Sequence, residues 1–281
     1  MPELPEVEIT ARLLDGALRD GEIESALAPG INALKTFDPP LSALTGERVT
    51  GVGRRGKHLI VWTTGGLALL MHLMSAGRLQ LYDKRAGPRD RTSRLLVRLT
   101  DGRELRLREF GSKQAAWVKL LRAGEVEDDD ALATLAPEAW PDPPPLEGLL
   151  DAPRPLHTLL RDQHTIAGIG RSWVDEILWR AELSPFKRAN DLDEGERARL
   201  RDAIVRSLGD AIAHYEQVVE LPIPDKLPMP LQVHRHEGEP CPRCATTLKA
   251  VHFEDYVIAY CPTCQTDGRV LKDRRLSRLL R

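Results

Sequence analysis

All four cysteines fall in two pairs, Cys241-Pro-Arg-Cys244 and Cys261-Pro-Thr-Cys264, with 16 residues between the pairs. That spacing is the one a zinc site uses. Each short knuckle offers two thiolates, and four thiolates close a tetrahedral shell with no open position for substrate. One structural Zn2+ is therefore expected, held by Cys241, Cys244, Cys261 and Cys264. Two disulfides are the competing arrangement, and a cytoplasmic chain disfavours them. A redox role is weaker still, because no βαβ pattern surrounds either pair.

Charge is the second chemical signal. The 281 residues carry a net charge of −2, but the sum hides its distribution. Between Leu121 and Asp151 stand nine acids and one base, a local −8 that leaves +6 elsewhere. Basic clusters occur at Arg54-Arg55-Gly56-Lys57, along Arg94 to Arg108, and from Lys272 to Arg281. Any one of them reads as a solvated face. Together they allow a polyanion without demanding it. No apolar run approaches the roughly 20 residues of a membrane span. The start Met1-Pro2-Glu3-Leu4-Pro5-Glu6 is acidic and proline-punctuated, unlike a secretory signal, so the cytoplasm is the expected address.

The elements that must position these groups follow from periodicity. A first helix fits Pro5 to about Arg19, with Glu6 and Glu8 at its positive end and Val7, Ala11, Leu14 and Leu18 at helical spacing. Short apolar runs at Val49–Val52, His58–Trp62 and Leu67–His72 read as strands. Arg94 to Arg108 reads as a hairpin with Asp101-Gly102 at its tip, Leu95, Val97, Leu99, Leu105 and Leu107 alternating with polar partners. Beyond an acidic, then proline-rich stretch the period becomes helical. Ser172 is placed to cap a helix carrying Val174, Ile177, Leu178 and Ala181. Leu200, Ile204, Leu208, Ile212 and Tyr215 line one face of a longer helix, and Leu221 to Pro230 is a proline-broken loop. The expected divisions are a β-rich catalytic domain over 1–120, an acidic and proline-rich linker over 121–153, a helical region over 154–220, and a loop, zinc finger and basic tail over 221–281.

The opening Met1-Pro2-Glu3-Leu4-Pro5-Glu6-Val7-Glu8 resembles that of the formamidopyrimidine-DNA glycosylase/endonuclease VIII family. Arg54-Arg55-Gly56-Lys57, His72-Leu73, Phe110-Gly111, Ala136-Pro137-Glu138, Asp162-Gln163, Ile166-Ala167-Gly168-Ile169-Gly170, Leu231-Gln232-Val233, Gly238-Glu239-Pro240 and the cysteine pairs follow in family order. Each motif alone is weak, and their order carries the resemblance. It implies an α+β multidomain fold: a β-sandwich-like domain with an N-terminal helix, then a helix–two-turn–helix domain with a zinc ribbon. It implies a monomer acting on double-stranded DNA with damaged bases or abasic sites, in a bacterial-type cytoplasm at the nucleoid. The implied activity is base excision with β,δ-elimination on oxidised bases.

The resemblance also assigns residues. Once Met1 is removed, Pro2 presents a secondary amine. An α-amino group titrates near 7.7–8.0, so about a tenth is neutral at pH 7 and can attack a sugar carbon. Glu3 would move protons, Glu6 would orient the site, and Lys57 would hold a flanking phosphate or protonate a leaving base. The bland alternative is that Glu3 and Glu6 are dipole-favoured helix acids and Lys57 a hairpin lysine. Arg108 and Phe110 would fill the void left by an extruded nucleotide. His72 belongs to the expected DNA contacts. Met74 comes one position before the family's wedge methionine, and Ser75 takes its place. On the DNA backbone the resemblance puts the Gly168 and Gly170 amides, Arg171 where the family has asparagine, His157 where lysine is usual, and Tyr256 where an arginine normally reaches a phosphate. Glu109 replaces an arginine before Phe110. Two functions remain in view: a working glycosylase/lyase, and a catalytically weak protein that binds damaged DNA on the same scaffold.

Overall fold

A computed structural model describes residues 2–30, 32–87, 90–110, 114–253 and 256–272. Most of the basic tail, including Arg274, Arg275, Arg278 and Arg281, lies outside the described residues. The chain divides into two compact units. Residues 1–134 join 212–228 in the first, and residues 135–211 join 229–281 in the second.

In the first unit, helix α1 (Leu4–Leu18) starts one residue earlier than its proline suggests, because Glu3 and Glu6 form a reciprocal cap. The Glu3 carboxylate accepts the Glu6 amide and the Glu6 carboxylate accepts the Glu3 amide, satisfying two otherwise orphaned donors. Leu4, Val7, Ala11, Leu14 and Leu18 are buried. Two four-stranded antiparallel sheets follow. Strands β1 (Ile23–Leu27), β6 (Ser93–Leu99), β7 (Glu104–Glu109) and β5 (Gly77–Tyr82) form one, in that order. Strands β2 (Val49–Arg55), β3 (His58–Thr63), β4 (Leu67–His72) and β8 (Trp117–Arg122) form the other. Three of these, β1, β5 and β8, carry no pattern that the sequence reading singled out.

The predicted hairpin is β6–β7, with Gly102 at φ +93° in its turn. Its polar face departs from expectation, being buried as well. Glu104 has no exposed surface, and it accepts hydrogen bonds from the Ala86 amide (2.8 Å), Arg106 Nη2 (2.6 Å) and Arg98 Nε (3.1 Å). Burial alone would raise its pKa, but these donors bring it below the ordinary carboxylate value. Residues 84–86 lie against this face, Arg106 also donating to the Lys84 carbonyl at 3.0 Å. Alternation marked the apolar side correctly, but it could not reveal a covering strap.

The stretch after β8 is anchored as well. Lys119 pairs with Asp129 at 2.9 Å, and Leu132, Leu146 and Leu150 are buried.

In the second unit, α2 (Leu156–Leu160) and α3 (Arg171–Arg180) flank a double turn, and α4 (Glu194–Val218) is the long helix. Its predicted apolar face is buried, and its last turns belong to the first unit. Gly170, not Ser172, is the N-cap of α3. Ser172 falls inside the first turn, because the Gly168-Ile169-Gly170 turn feeds the helix directly. Strands β9 (Lys249–His252) and β10 (Val257–Tyr260) pair antiparallel, and α5 (Pro262–Thr266) follows, capped by Cys261 and carrying Cys264. Two buried acids of α3 secure this ribbon. Glu176 accepts the amides of Gln232, Val233 and His234 at 2.8–3.0 Å. Asp175 Oδ2 accepts the Ala259 amide (3.0 Å) and His234 Nδ1 (2.7 Å).

Candidate active site and nucleic-acid interface

Pro2 precedes the cap of α1 and is partly exposed, whereas Glu3 and Glu6 are buried. One Glu6 oxygen accepts the Glu3 amide at 2.8 Å, and the other accepts the Tyr215 hydroxyl at 2.7 Å. Tyr215 is fully buried in the part of α4 that belongs to the first unit. Burial, then the charge of Glu6, then that of Glu3, push its phenol pKa far up. The hydroxyl therefore keeps its proton and remains a donor at every working pH. Sequence reasoning placed Tyr215 on a helix face and missed this role, since its partner lies 209 residues away.

Lys57 is the second residue of the two-residue turn between β2 and β3, after Gly56 at φ +56°, and is buried. Glu8 of α1 accepts Arg54 Nε at 2.7 Å, and Asp15 accepts the Val52 amide at 2.8 Å. Two turns of α1 thus hold the strand that leads to Lys57. Beyond Lys57, the His58 ring meets His72 edge-on at 4.7 Å, and Trp117 stacks on His72 at 5.9 Å. Burial, then the charges of His58 and Lys57, lower the His72 pKa to about 3. Its Nδ1 accepts the Met74 amide at 2.9 Å, so a neutral ring carries its proton on Nε2. As a DNA contact, His72 can offer one hydrogen bond and no charge.

Met74 adopts φ +49°, a backbone region costly for a side-chain-bearing residue, and Ser75 beside it is exposed. Arg108 donates to Thr92 Oγ1 (3.0 Å) and Tyr82 Oη (2.9 Å), with its guanidinium carbon 4.5 Å from the centroid of half-exposed Phe110. Glu109, between them, is buried. It accepts the amides of Ala115 and Ala116 at 2.6 and 2.9 Å and lies 3.8 Å from buried Arg94. It bridges the two ends of the segment that follows Phe110, a role no sequence signal announced.

Two expected backbone contacts need correction. His157 is 1% exposed, with Nε2 3.3 Å from buried Asp175, so a direct phosphate contact from it is blocked by burial. Desolvation lowers its pKa, outweighing Asp175, and keeps it neutral. The Gly168 amide is already spent inside the chain, on Gln163 Oε1 at 2.9 Å. Gly168 instead supplies a φ of +107°, which the turn into α3 requires. Gly170 is the buried cap of α3, and Arg171 is its first residue. The Tyr256 ring lies parallel to His157, 6.0 Å away.

The four cysteines are free of disulfides, and their sulfurs lie within 4.8 Å of one another. Three of the separations are 3.4, 3.5 and 3.9 Å. Zn–S bonds of about 2.3 Å in a tetrahedron put the sulfurs about 3.8 Å apart, so the set fits Zn2+. Trp179 Nε1 donates to Cys241 Sγ at 3.3 Å, and the Cys264 amide points at Cys261 Sγ at 3.4 Å. These donors favour thiolates.

A capped, proline-headed helix packed with two sheets, and a helical unit closed by a four-thiolate ribbon, define a zinc-ribbon protein with an N-terminal Pro-Glu site. Comparison with known proteins makes this specific. The model of the formamidopyrimidine-DNA glycosylase N-terminal domain matches residues 1–112, and that of its H2TH domain matches 144–221. The zinc finger found in FPG and IleRS matches 238–266. The chain is 34% identical to the formamidopyrimidine-DNA glycosylase of Moorella thermoacetica over 271 residues, covering 89% of this chain and 94% of that protein. It is 32% identical to that of Streptococcus agalactiae, covering 89% and 93%. Among solved structures, MutM in complex with DNA containing carbocyclic 8-oxo-G superposes with a TM-score of 0.83 at 28% identity, covering 94% of this chain and 100% of that one. Lactococcus lactis Fpg bound to abasic-site DNA also gives 0.83, at 27% identity and coverage of 94% and 99%. The chain belongs to the formamidopyrimidine-DNA glycosylase family.

Proposed function

We propose that this protein is a base-excision-repair DNA glycosylase and AP lyase that works through an iminium on Pro2. The observation that carries the reading is the Glu3–Glu6–Tyr215 hydrogen-bonded cluster directly behind Pro2. After loss of Met1, the Pro2 nitrogen attacks C1′ of a damaged nucleotide. The bond from C1′ to the base breaks, and the base departs with a proton. Ring opening at O4′ then leaves an N+=C1′ iminium. That positive nitrogen acidifies C2′, which loses a proton as the C3′–O bond breaks and the 3′ phosphate leaves. A second elimination releases the 5′ phosphate, and water frees the amine. Glu3, beside the amine, moves protons at O4′ and at the leaving groups. Glu6 holds the Glu3 amide, and Lys57 supplies a cation for a flanking phosphate or a proton for the departing base. Arg108, Phe110 and Ser75 face the duplex, while zinc holds the ribbon through Cys241, Cys244, Cys261 and Cys264.

No described helix is long and apolar enough to cross a membrane. The address that goes with this chemistry is a bacterial-type cytoplasm, at nucleoid DNA, where the protein works as a monomer. The test is borohydride reduction in the presence of an abasic oligonucleotide. A covalent adduct is expected, and one residue added before Pro2 should abolish it. Binding without an adduct would favour the damaged-DNA-binding reading, and full trapping with a blocked N-terminus would overturn the role of Pro2.

A further inference from the structure

Helices α3 and α4 leave a cavity of about 220 Å3 between them, lined wholly by residues of the second unit. Trp173, Glu176 and Arg180 line it from one face of α3, with Trp179 beside them. Ser207, Asp210 and Ala211 line it from α4, and Pro230 and Gln232 from the segment before the zinc ribbon. Ser207 gives this space its chemistry. It stands in the buried stripe of α4 beside Leu208 and is 4% exposed. Its Oγ is buried and has no hydrogen-bond partner among the described residues. A hydroxyl desolvated without a partner is destabilising, and alanine would meet the packing need without that penalty. The walls, by contrast, are already held. Glu176 accepts the amides of Gln232, Val233 and His234, and the Trp179 indole donates to Cys241 Sγ at 3.3 Å. Arg180 pairs with Asp210 at 2.7 Å, and Arg243, over the Trp179 ring, pairs with Glu182 at 3.1 Å. Each cation here is matched by an acid, so the lining has no surplus positive charge for an anionic ligand.

A preformed space with apolar walls and one buried hydroxyl in need of a partner is what a small-molecule site requires. Cavities of about 150 Å3 hold benzene, and drug-sized pockets begin near about 300 Å3, so one or two rings fit here. Two indoles with Ala211 and Pro230 favour a flat apolar body, and the Ser207 hydroxyl can donate to a ring nitrogen or accept from a ring N–H. We infer that this cavity binds a small, uncharged heteroaromatic molecule of one or two rings, hydrogen-bonded to Ser207. The site lies outside the unit that carries Pro2, and its occupancy is independent of the chemistry proposed there.

The test is a titration of the full, zinc-loaded chain with benzimidazole in mildly alkaline buffer, followed through the indole N–H resonances of its tryptophans. Trp173 and Trp179 should shift together along one saturation curve, with a Kd of about 1 mM or tighter, while Trp62 and Trp117 of the first unit stay in place. Benzoate, flat and of similar size but anionic, should bind at least about tenfold more weakly. Ser207→Ala should weaken benzimidazole binding about fivefold to tenfold without lowering the melting temperature of the free protein. Ala211→Leu should fill the cavity and abolish binding, and Ser207→Val serves the same purpose should the leucine variant fold poorly. No shift of Trp173 and Trp179 in the wild type at about ten times the expected Kd overturns the site. So does equal binding by the wild type and the filled variants, which would put the probe elsewhere. Loss in a filled variant with full binding by Ser207→Ala overturns the hydrogen bond and the heteroaromatic assignment with it, and benzoate binding as tight as that of benzimidazole overturns the preference for an uncharged ligand.

Discussion

Tyr215→Phe removes one oxygen from the molecule and leaves the packing of a fully buried ring intact. That oxygen donates at 2.7 Å to a buried carboxylate whose other oxygen holds the Glu3 amide. A hydrogen bond to a charged group contributes about 1.5–3 kcal/mol, and here both the phenol and the carboxylate are buried. For a unit of this size the melting temperature should fall by about 3–10 °C. The rate should fall too, since Glu6 fixes the Glu3 backbone beside Pro2, the proposed nucleophile. A loosening that costs about 1.4 kcal/mol in the transition state slows single-turnover cleavage of an abasic duplex about tenfold. Glu6→Gln with Tyr215→Phe completes a double-mutant cycle, and the coupling energy should exceed about 1 kcal/mol. A stability loss at unchanged cleavage rate would reduce Tyr215 to packing. Zero coupling with Glu6 would refute the hydrogen-bond argument altogether.

Three further outcomes are expected. Burial lowers the His58 pKa to about 4 and that of His72 to about 3. The unfolded chain therefore takes up these protons first: stability is complete above about pH 6.5 and is lost as pH falls toward 4 and then 3, by up to about 1.4 kcal/mol per pH unit for each ring. Denaturant melts across that range should show the slope and His58→Phe should lessen it, whereas a flat wild-type profile would contradict the burial argument. Glu109→Ala should cost about 3–5 kcal/mol, because it strands the buried Arg94 charge and frees two amides, and Glu109→Gln should cost less. Equal melting temperatures for the two variants would count against that. Metal analysis should find about one zinc per chain, and Cys261→Ser should lose it together with most duplex affinity while the sandwich unit still melts cooperatively; full DNA binding without zinc would dismiss a structural metal.

What was legible in the chain was what short-range physics controls. The cysteine spacing alone specified a tetrahedral thiolate set. Turn chemistry at Asp101-Gly102 and the apolar runs around His58 and Leu67 located hairpins, because a strand's period and its turn residues are local. The misses have a common cause in distance along the chain. Glu104 and Arg106 looked solvent-facing because nothing near them announces that residues 84–86 cover them. The resemblance put His157 on the DNA backbone in place of a lysine, and only the fold sets Asp175 and Tyr256 around it. Tyr215 resembled one more core residue in a stripe of Leu200, Ile204, Leu208 and Ile212. At Ser172 the error was local: a good capping residue stood two positions after a glycine that the turn geometry preferred.

The sandwich unit is discontinuous in sequence, and that has a consequence during synthesis. Its sheets and α1 are finished by residue 134, but Tyr215 and the strap that receives Arg78 and Gln80 at the carbonyls of Asp225 and Ile223 arrive only with residues 212–228. At 5–20 residues per second the ribosome needs on the order of 5–20 s to deliver that segment. During that interval the nascent chain already displays Pro2 and Glu3, with Glu6 lacking the phenol that holds it. The amine is thus exposed first and its supporting carboxylates are fixed last, once most of the helical unit has been made. Order of emergence thus leaves the Glu3–Glu6 cap behind Pro2 without its phenol donor until residues 212–228 have been made.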